Sequence, residues 1–199
     1  MVLPLAPEPR RRRFNDVIET PMGSRNKFQY IPSVGMFALG KQLPAGAVFP
    51  FDFGFIPGTR AEDGDPLDAI VLLDTPTFPG CIVRVRLIGM IDAHQTTKTG
   101  GTVRNPRLIA ISTKSLEHRN VRRVRDLPET VIHDIEHFFA SYNQAVGKIF
   151  APVGRRGRKQ ARRMVRETLI RGTGRVGRRS SGEVGHHGRT SPTILHRIG

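Results

Sequence analysis

The chain of 199 residues has one cysteine, no tryptophan and only two tyrosines. A single cysteine, Cys81, excludes an intrachain disulfide and suits a reducing compartment. It is expected to serve as a small apolar residue near a strand start. No apolar run approaches the ~20 residues that a helix needs to cross a bilayer. The opening MVLPLAPEPRRRRF places its arginines on the wrong side of a short, proline-broken apolar stretch for a secretory signal. These absences predict a soluble, cytoplasmic protein. Acids are scarce towards the C-terminus, where residues 151–199 hold 13 Lys and Arg against 2 Asp and Glu, a net +11. Residues 1–150 hold 19 against 15, a net +4 for which Arg10 to Arg13 account. The stretch from Phe14 to Phe150 is therefore near neutral, and only the ends point towards polyanions.

What is present is enough apolar content for a core, 38% of residues, with eleven phenylalanines. DVIET and NKFQYI flank the turn-prone PMGSR, and GMFAL follows, all strand-like. AVFPFDFGFIPG predicts a bent strand because of Pro50 and Gly54. AIVLL is short, continuous and branched, as a strand buried on both faces should be. CIVRVRLIGMIDA alternates Val83, Val85 and Leu87 against Arg84 and Arg86, and RLIAIS follows a polar Gly-Thr loop. LPETVIHDIEHFFASYNQAVGK predicts a helix with Ile132, Ile135, Phe139, Tyr142 and Val146 on one stripe and Gly147 as its stop. A second, very basic helix is expected over about 158–170. Short strands followed by a helix predict an α+β protein, mainly β: a small OB-like β-barrel with one or two helices packed outside and a basic C-terminal extension. The expected division is a disordered basic segment at 1–13, a barrel domain at 14–153, and a basic helix with disordered tail at 154–199.

One stretch carries chemistry. EDGDPLDAIVLLD crowds Asp63, Asp65 and Asp68 around Gly64 and Pro66 at the mouth of a buried strand. Carboxylates this close repel and raise one another's pKa unless a cation lies between them. A solvated Asp-Gly turn is one outcome. Hard divalent ions are the other, since Mg²⁺ takes a few carboxylates and leaves its remaining positions to water and phosphate oxygens.

DGDPLD resembles the Asp-x-Asp-Pro-x-Asp signature of the soluble family I inorganic pyrophosphatases, and the likeness continues in order through VIETP, NKF, FPFDFGFIPGT, PGCIVRVRLIGM and LPETVIHDIEHFFASYN. It covers roughly residues 15–150. The resemblance implies an Mg²⁺-dependent enzyme that hydrolyses inorganic pyrophosphate to two phosphates. It implies that Asp63, Asp65 and Asp68 bind metal, that Asp65 is also the general base on the attacking water, and that Glu19 sits on the metal-phosphate side. Lys27, Lys41 and Arg107 are implied as phosphate ligands, with Tyr142 donating its hydroxyl. A homo-oligomer, often a hexamer in bacterial members, is implied as well.

Several positions depart from the family pattern. Gln29 stands where an acid is usual, Phe49 and Phe53 replace active-site tyrosines, and Gln95 and Asn105 fall where two further metal-binding aspartates belong. Asp92 or His94 could substitute for them. Lys41 is usually Arg, Arg107 usually Lys, and Asn143 usually Lys. An amide oxygen can ligate magnesium but brings no charge. Two other readings compete: a catalytically silent relative, and a nucleic-acid-binding barrel whose basic tail makes weak contact with phosphate backbones.

Overall fold

The computed structural model describes residues 13–97 and 100–172, with side chains through Leu169. The order of elements is β1 (Phe14–Thr20), β2 (Asn26–Ile31), β3 (Met36–Gln42), β4 (Asp52–Ile56), β5 (Leu67–Leu72), β6 (Ile82–Thr96), β7 (Thr102–Arg104), β8 (Arg107–Ser112), α1 (Glu129–Gln144), β9 (Phe150–Gly157) and α2 (Arg158–Gly172). β1 pairs with β4, β4 with β5, β5 with β8, β8 with β6, and β6 again with β1. The pairings return to their start, a closed ring of the kind the alternating runs predict. Only β5–β8 is parallel in that ring. The β2–β3 hairpin is a separate two-stranded sheet.

Two apolar clusters sandwich the strands. Ala69 and Val71 of β5 join Phe14, Val85, Leu87 and the α2 residues Ala161, Val165 and Leu169. Ile70 and Leu72 point the other way, to Phe49, Phe53 and the α1 residues Ile132, Ile135 and Phe139. AIVLL is thus buried on both faces because a helix covers each side. Burying side chains of this size stabilises by about 1.5–3 kcal/mol each.

α1 ends sooner than its periodicity suggests. Ile132, Ile135 and Phe139 are buried, but the helix stops at Gln144 and Val146 lies beyond it, 41% exposed. β9 was absent from the expected elements, and the expected boundary at 153/154 falls inside it. α2 is amphipathic despite its charge, and its apolar stripe is core. Of the segments expected to be disordered, 1–13 and from Arg171 onward, only Arg13, Arg171 and Gly172 are among the described residues, and the last two are helical as the end of α2. Cys81 is half-buried against the core.

Asp16 sits in the middle of β1, fully buried, with neither carboxylate oxygen hydrogen-bonded. Burial holds its pKa well above the usual carboxylate range, and Asp68, Glu19 and Asp52 add to the rise. Gly54 leaves room for it: a Cβ there would lie 2.3 Å from Asp16 Oδ1 and 2.2 Å from the Val17 carbonyl. Even Ala at 54 would force β1 and β4 apart.

Candidate active site

The acidic turn is built by a clip at its base. Thr59 Oγ1 donates to the Ile56 carbonyl at 2.6 Å and accepts from the Leu67 N–H at 2.8 Å, joining the end of β4 to the start of β5. Between these anchors the Ala61 N–H donates to the Asp65 carbonyl at 2.7 Å. Gly64 supplies the left-handed residue at φ +91°, which Asp would adopt only with strain. The Asp65 N–H turns back onto Asp63 Oδ1 at 3.2 Å.

This turn forms one wall of a cavity of about 620 Å³. All eight residues that the resemblance implies as metal or substrate ligands line it: Asp63, Asp65 and Asp68 from the turn, Glu19 from β1, Lys27 and Lys41 from the hairpin, Arg107 from β8 and Tyr142 from α1. Asp63 and Asp65 are exposed and Asp68 is half-buried, and all three line this cavity. Asp63 is raised in pKa by burial first and then by Asp65 and Asp68, opposed by the Asp65 N–H and by Arg107. Glu19 is raised mainly by burial, while the Tyr30 N–H at 2.8 Å and Lys27 pull it back.

Lys27 and Lys41 are directly opposed across β2 and β3. Like charges in that register destabilise a hairpin unless an anion lies between them. Lys41 is lowered in pKa by its partial burial, by Lys27 and by Lys148. Its Nζ lies 4.5 Å from the centre of the Tyr142 ring, and Lys27 Nζ lies 5.4 Å from that of Phe53. Burial pushes the Tyr142 hydroxyl up far enough that it remains a proton donor at any ordinary pH.

The wall that carries Arg107 is different. Arg107, 5% exposed, donates from Nη1 to Asp68 Oδ2 at 2.7 Å and to Asn105 Oδ1, and from Nη2 to Gln95 Oε1 at 3.3 Å. Asn105 Nδ2 also donates to Gln95 Oε1, at 3.2 Å. The guanidinium lies 5.2 Å from the Phe139 ring centre and 5.3 Å from that of Phe150. Asp92 does not substitute for the missing acids. It is buried and engaged by Arg104 Nε at 2.7 Å and Arg156 Nε at 3.3 Å. His94 is exposed, and neither residue reaches the cavity lining.

Phe49 and Phe53 are buried behind the cavity rather than in its lining, with ring centres 5.7 Å apart. Two of the lining residues that were not expected bear on the chemistry. Tyr30, the other tyrosine, packs its ring 5.9 Å from Phe55. Lys148 enters from the turn after α1, where its N–H donates to the Asn143 carbonyl at 3.0 Å. The rarity of tyrosine could have flagged the first; nothing local flags the second.

Among the described residues, no three of His, Cys, Asp and Glu are gathered closely enough to hold a metal ion. The donor set is instead an open row of hard oxygens facing cations, which fits an ion that retains water and binds phosphate. Residues 16–172 match the family model described as inorganic pyrophosphatase. The chain belongs to that family. The inorganic pyrophosphatase of Thermus thermophilus is 39% identical over 158 residues, 78% of this chain and 87% of its own length. That of Synechocystis is 35% identical over 147 residues, 74% of this chain and 84% of its own. The solved structure of the Thermus thermophilus pyrophosphatase superposes with a TM-score of 0.76 at 34% identity, covering 85% of this chain and 96% of that one. Within a pyrophosphatase fold, then, this chain presents an acidic turn and a cationic hairpin, with amides and a guanidinium on the remaining wall. No helix among the described residues is long and apolar enough to cross a membrane.

Proposed function

We propose that the protein hydrolyses inorganic pyrophosphate to two phosphates with magnesium as cofactor. The observation that carries the reading is one cavity with an acidic turn on one side and two opposed lysines on the other, in a chain of this family. Asp63, Asp65 and Asp68 hold the metal, and Glu19 faces the metal-phosphate side. Magnesium, when bound there, would supply positive charge for the phosphates and lower the pKa of a water. Asp65 would act as general base towards the attacking water. Lys27, Lys41 and Arg107 neutralise phosphate oxygens, and Tyr142, kept protonated by burial, donates to one of them. Phosphoryl transfer needs this placement of charge more than covalent help.

The proposal extends to a cytoplasmic homo-oligomer, a hexamer among the possibilities, and to a barrel unit at 14–153 carrying a basic extension. Weak nucleic-acid contact through that extension is a separate and lesser expectation. The test of function is phosphate release from pyrophosphate across a magnesium titration and in EDTA. Turnover that rises with magnesium and vanishes in EDTA supports the proposal. No turnover at any magnesium concentration, in protein with a cooperative melt, favours the silent relative.

A further inference from the structure

A second basin, of about 550 Å³, opens between the loop before α1, the end of β9 and the first turn of α2. It shares no lining residue with the acidic cavity. Six cations line it, Arg123, Arg125, Arg155, Arg156, Arg158 and Lys159, against one acid, Glu129. Two of the six are already neutralised. Arg155 forks onto Glu136, with Nε to Oε1 at 2.9 Å, and also reaches Glu129, while Arg156 engages Asp92 at 3.3 Å. Among the described residues, Arg123, Arg125, Arg158 and Lys159 make no ion pair. Four cations from separate segments therefore converge on one concavity, and their mutual repulsion is relieved only by water or an anion. Arg158 and Lys159 also stand in the first turn of a helix, the end where the dipole disfavours cations and favours anions. Val124 and Ile132 contribute to a lining whose exposed surface is more apolar than polar.

We propose that this basin is a second, non-catalytic binding site for a chain of two or more phosphates. A single small anion would touch only one or two of these cations. An oligophosphate carries several charges on one ligand and can meet more of these cations at once, and arginine forks match phosphate geometry. The ligand is either a free inorganic oligophosphate or the phosphate tail of a nucleotide. The inference does not rest on hydrolysis in the first cavity.

The test is calorimetric titration of inorganic tripolyphosphate, and in parallel ATP, into the full chain with EDTA present, at about 50 and 200 mM salt. Binding is expected to weaken with salt and to survive Lys27→Ala in the first cavity. It should fall at least tenfold in both Arg123→Glu/Arg158→Glu and Arg125→Glu/Lys159→Glu, with melting temperature and any pyrophosphate hydrolysis unchanged. Equal affinities for the two probes show that the phosphate chain alone is read. Tighter ATP shows that the nucleoside adds contacts on the apolar part of the lining. The proposal is overturned by no binding at millimolar probe, by wild-type affinity in both charge-reversed variants, or by loss of binding in Lys27→Ala instead. It is also overturned if a short DNA strand displaces tripolyphosphate at equal phosphate concentration, which would make the basin a nucleic-acid surface. Absent pyrophosphate hydrolysis would leave every binding outcome readable.

Discussion

The two walls of the acidic cavity meet the same substrate space and solve charge in opposite ways. The turn between β4 and β5 gathers carboxylates and places no cation of its own in the cavity lining, its Arg60 being exposed elsewhere. The wall from β6 and β8 offers two amides and carries a permanent cation, Arg107, which already occupies one oxygen of Asp68. In charge, the first wall is incomplete without an ion from solution and the second is complete as folded, although Arg107 Nε is buried there without a hydrogen-bond partner. What separates them is where the positive charge resides, and that decides which substitutions abolish chemistry and which mainly change stability or metal demand.

The largest effect should come from the incomplete wall. Asp65→Asn removes a proton acceptor without removing volume, and general-base catalysis is worth about 10²–10⁴ in rate. The rate of phosphate release should fall by that factor with the melting temperature unchanged; a loss under threefold would free Asp65 from the mechanism. The complete wall should answer differently. Arg107→Met strands Asp68 and removes a cation packed on three rings. Breaking a buried pair costs about 3–5 kcal/mol, less here because Asp68 is partly exposed. Chemical denaturation should register a loss of about 2–3 kcal/mol, and an unchanged midpoint would mean the guanidinium is not structural.

Behind both walls lies Asp16, which Asp16→Val should convert from a burden to a gain of about 1–3 kcal/mol at neutral pH. Its pKa is raised in the folded state, so the folded protein holds the proton more tightly than the unfolded chain. Its contribution is therefore most favourable below the unfolded value of about 3.9 and is lost as pH rises through the folded value. Melting temperature of the metal-free protein should decline with pH above that point, and Asp16→Val should flatten the decline. An equally steep profile in the variant would assign the slope to Glu19 and Asp63, which shift in the same direction. The smallest effect is expected from Gln95→Asp. An added carboxylate on the amide wall should lower the magnesium concentration for half-maximal activity severalfold; no change would mean that wall is too far from the ion to matter.

The local patterns were the readable ones. AIVLL, the alternation of Val83, Val85 and Leu87, and the Ile132, Ile135 and Phe139 spacing each describe a burial pattern that the surrounding layers then provide. The acidic turn was legible because its residues are adjacent in sequence and its backbone closes on itself through Thr59 and Gly64. β9 was not. It contains Pro152, Gly154 and Gly157 and buries only Phe150, so nothing in it reads as a strand. It forms because β6 is long enough to pair with it from Gly89 to Gln95, a non-local cause. The end of α1 was misplaced because Val146 continues the spacing after the helix hydrogen bonds have stopped. Lys148 reached the cavity through that same turn, and the guanidinium on Asp68 depends on β5 and β8 lying side by side. Neither contact has a signature within a short window.

Direct Mn²⁺ binding, measured by equilibrium dialysis with a non-hydrolysable pyrophosphate analogue present, tests the contrast between the walls. Manganese should bind the wild-type chain, be lost in Asp63→Asn and Asp65→Asn, and be retained in Gln95→Ala. Retention in both aspartate variants with loss in Gln95→Ala would place the ion on the wrong wall and contradict the account.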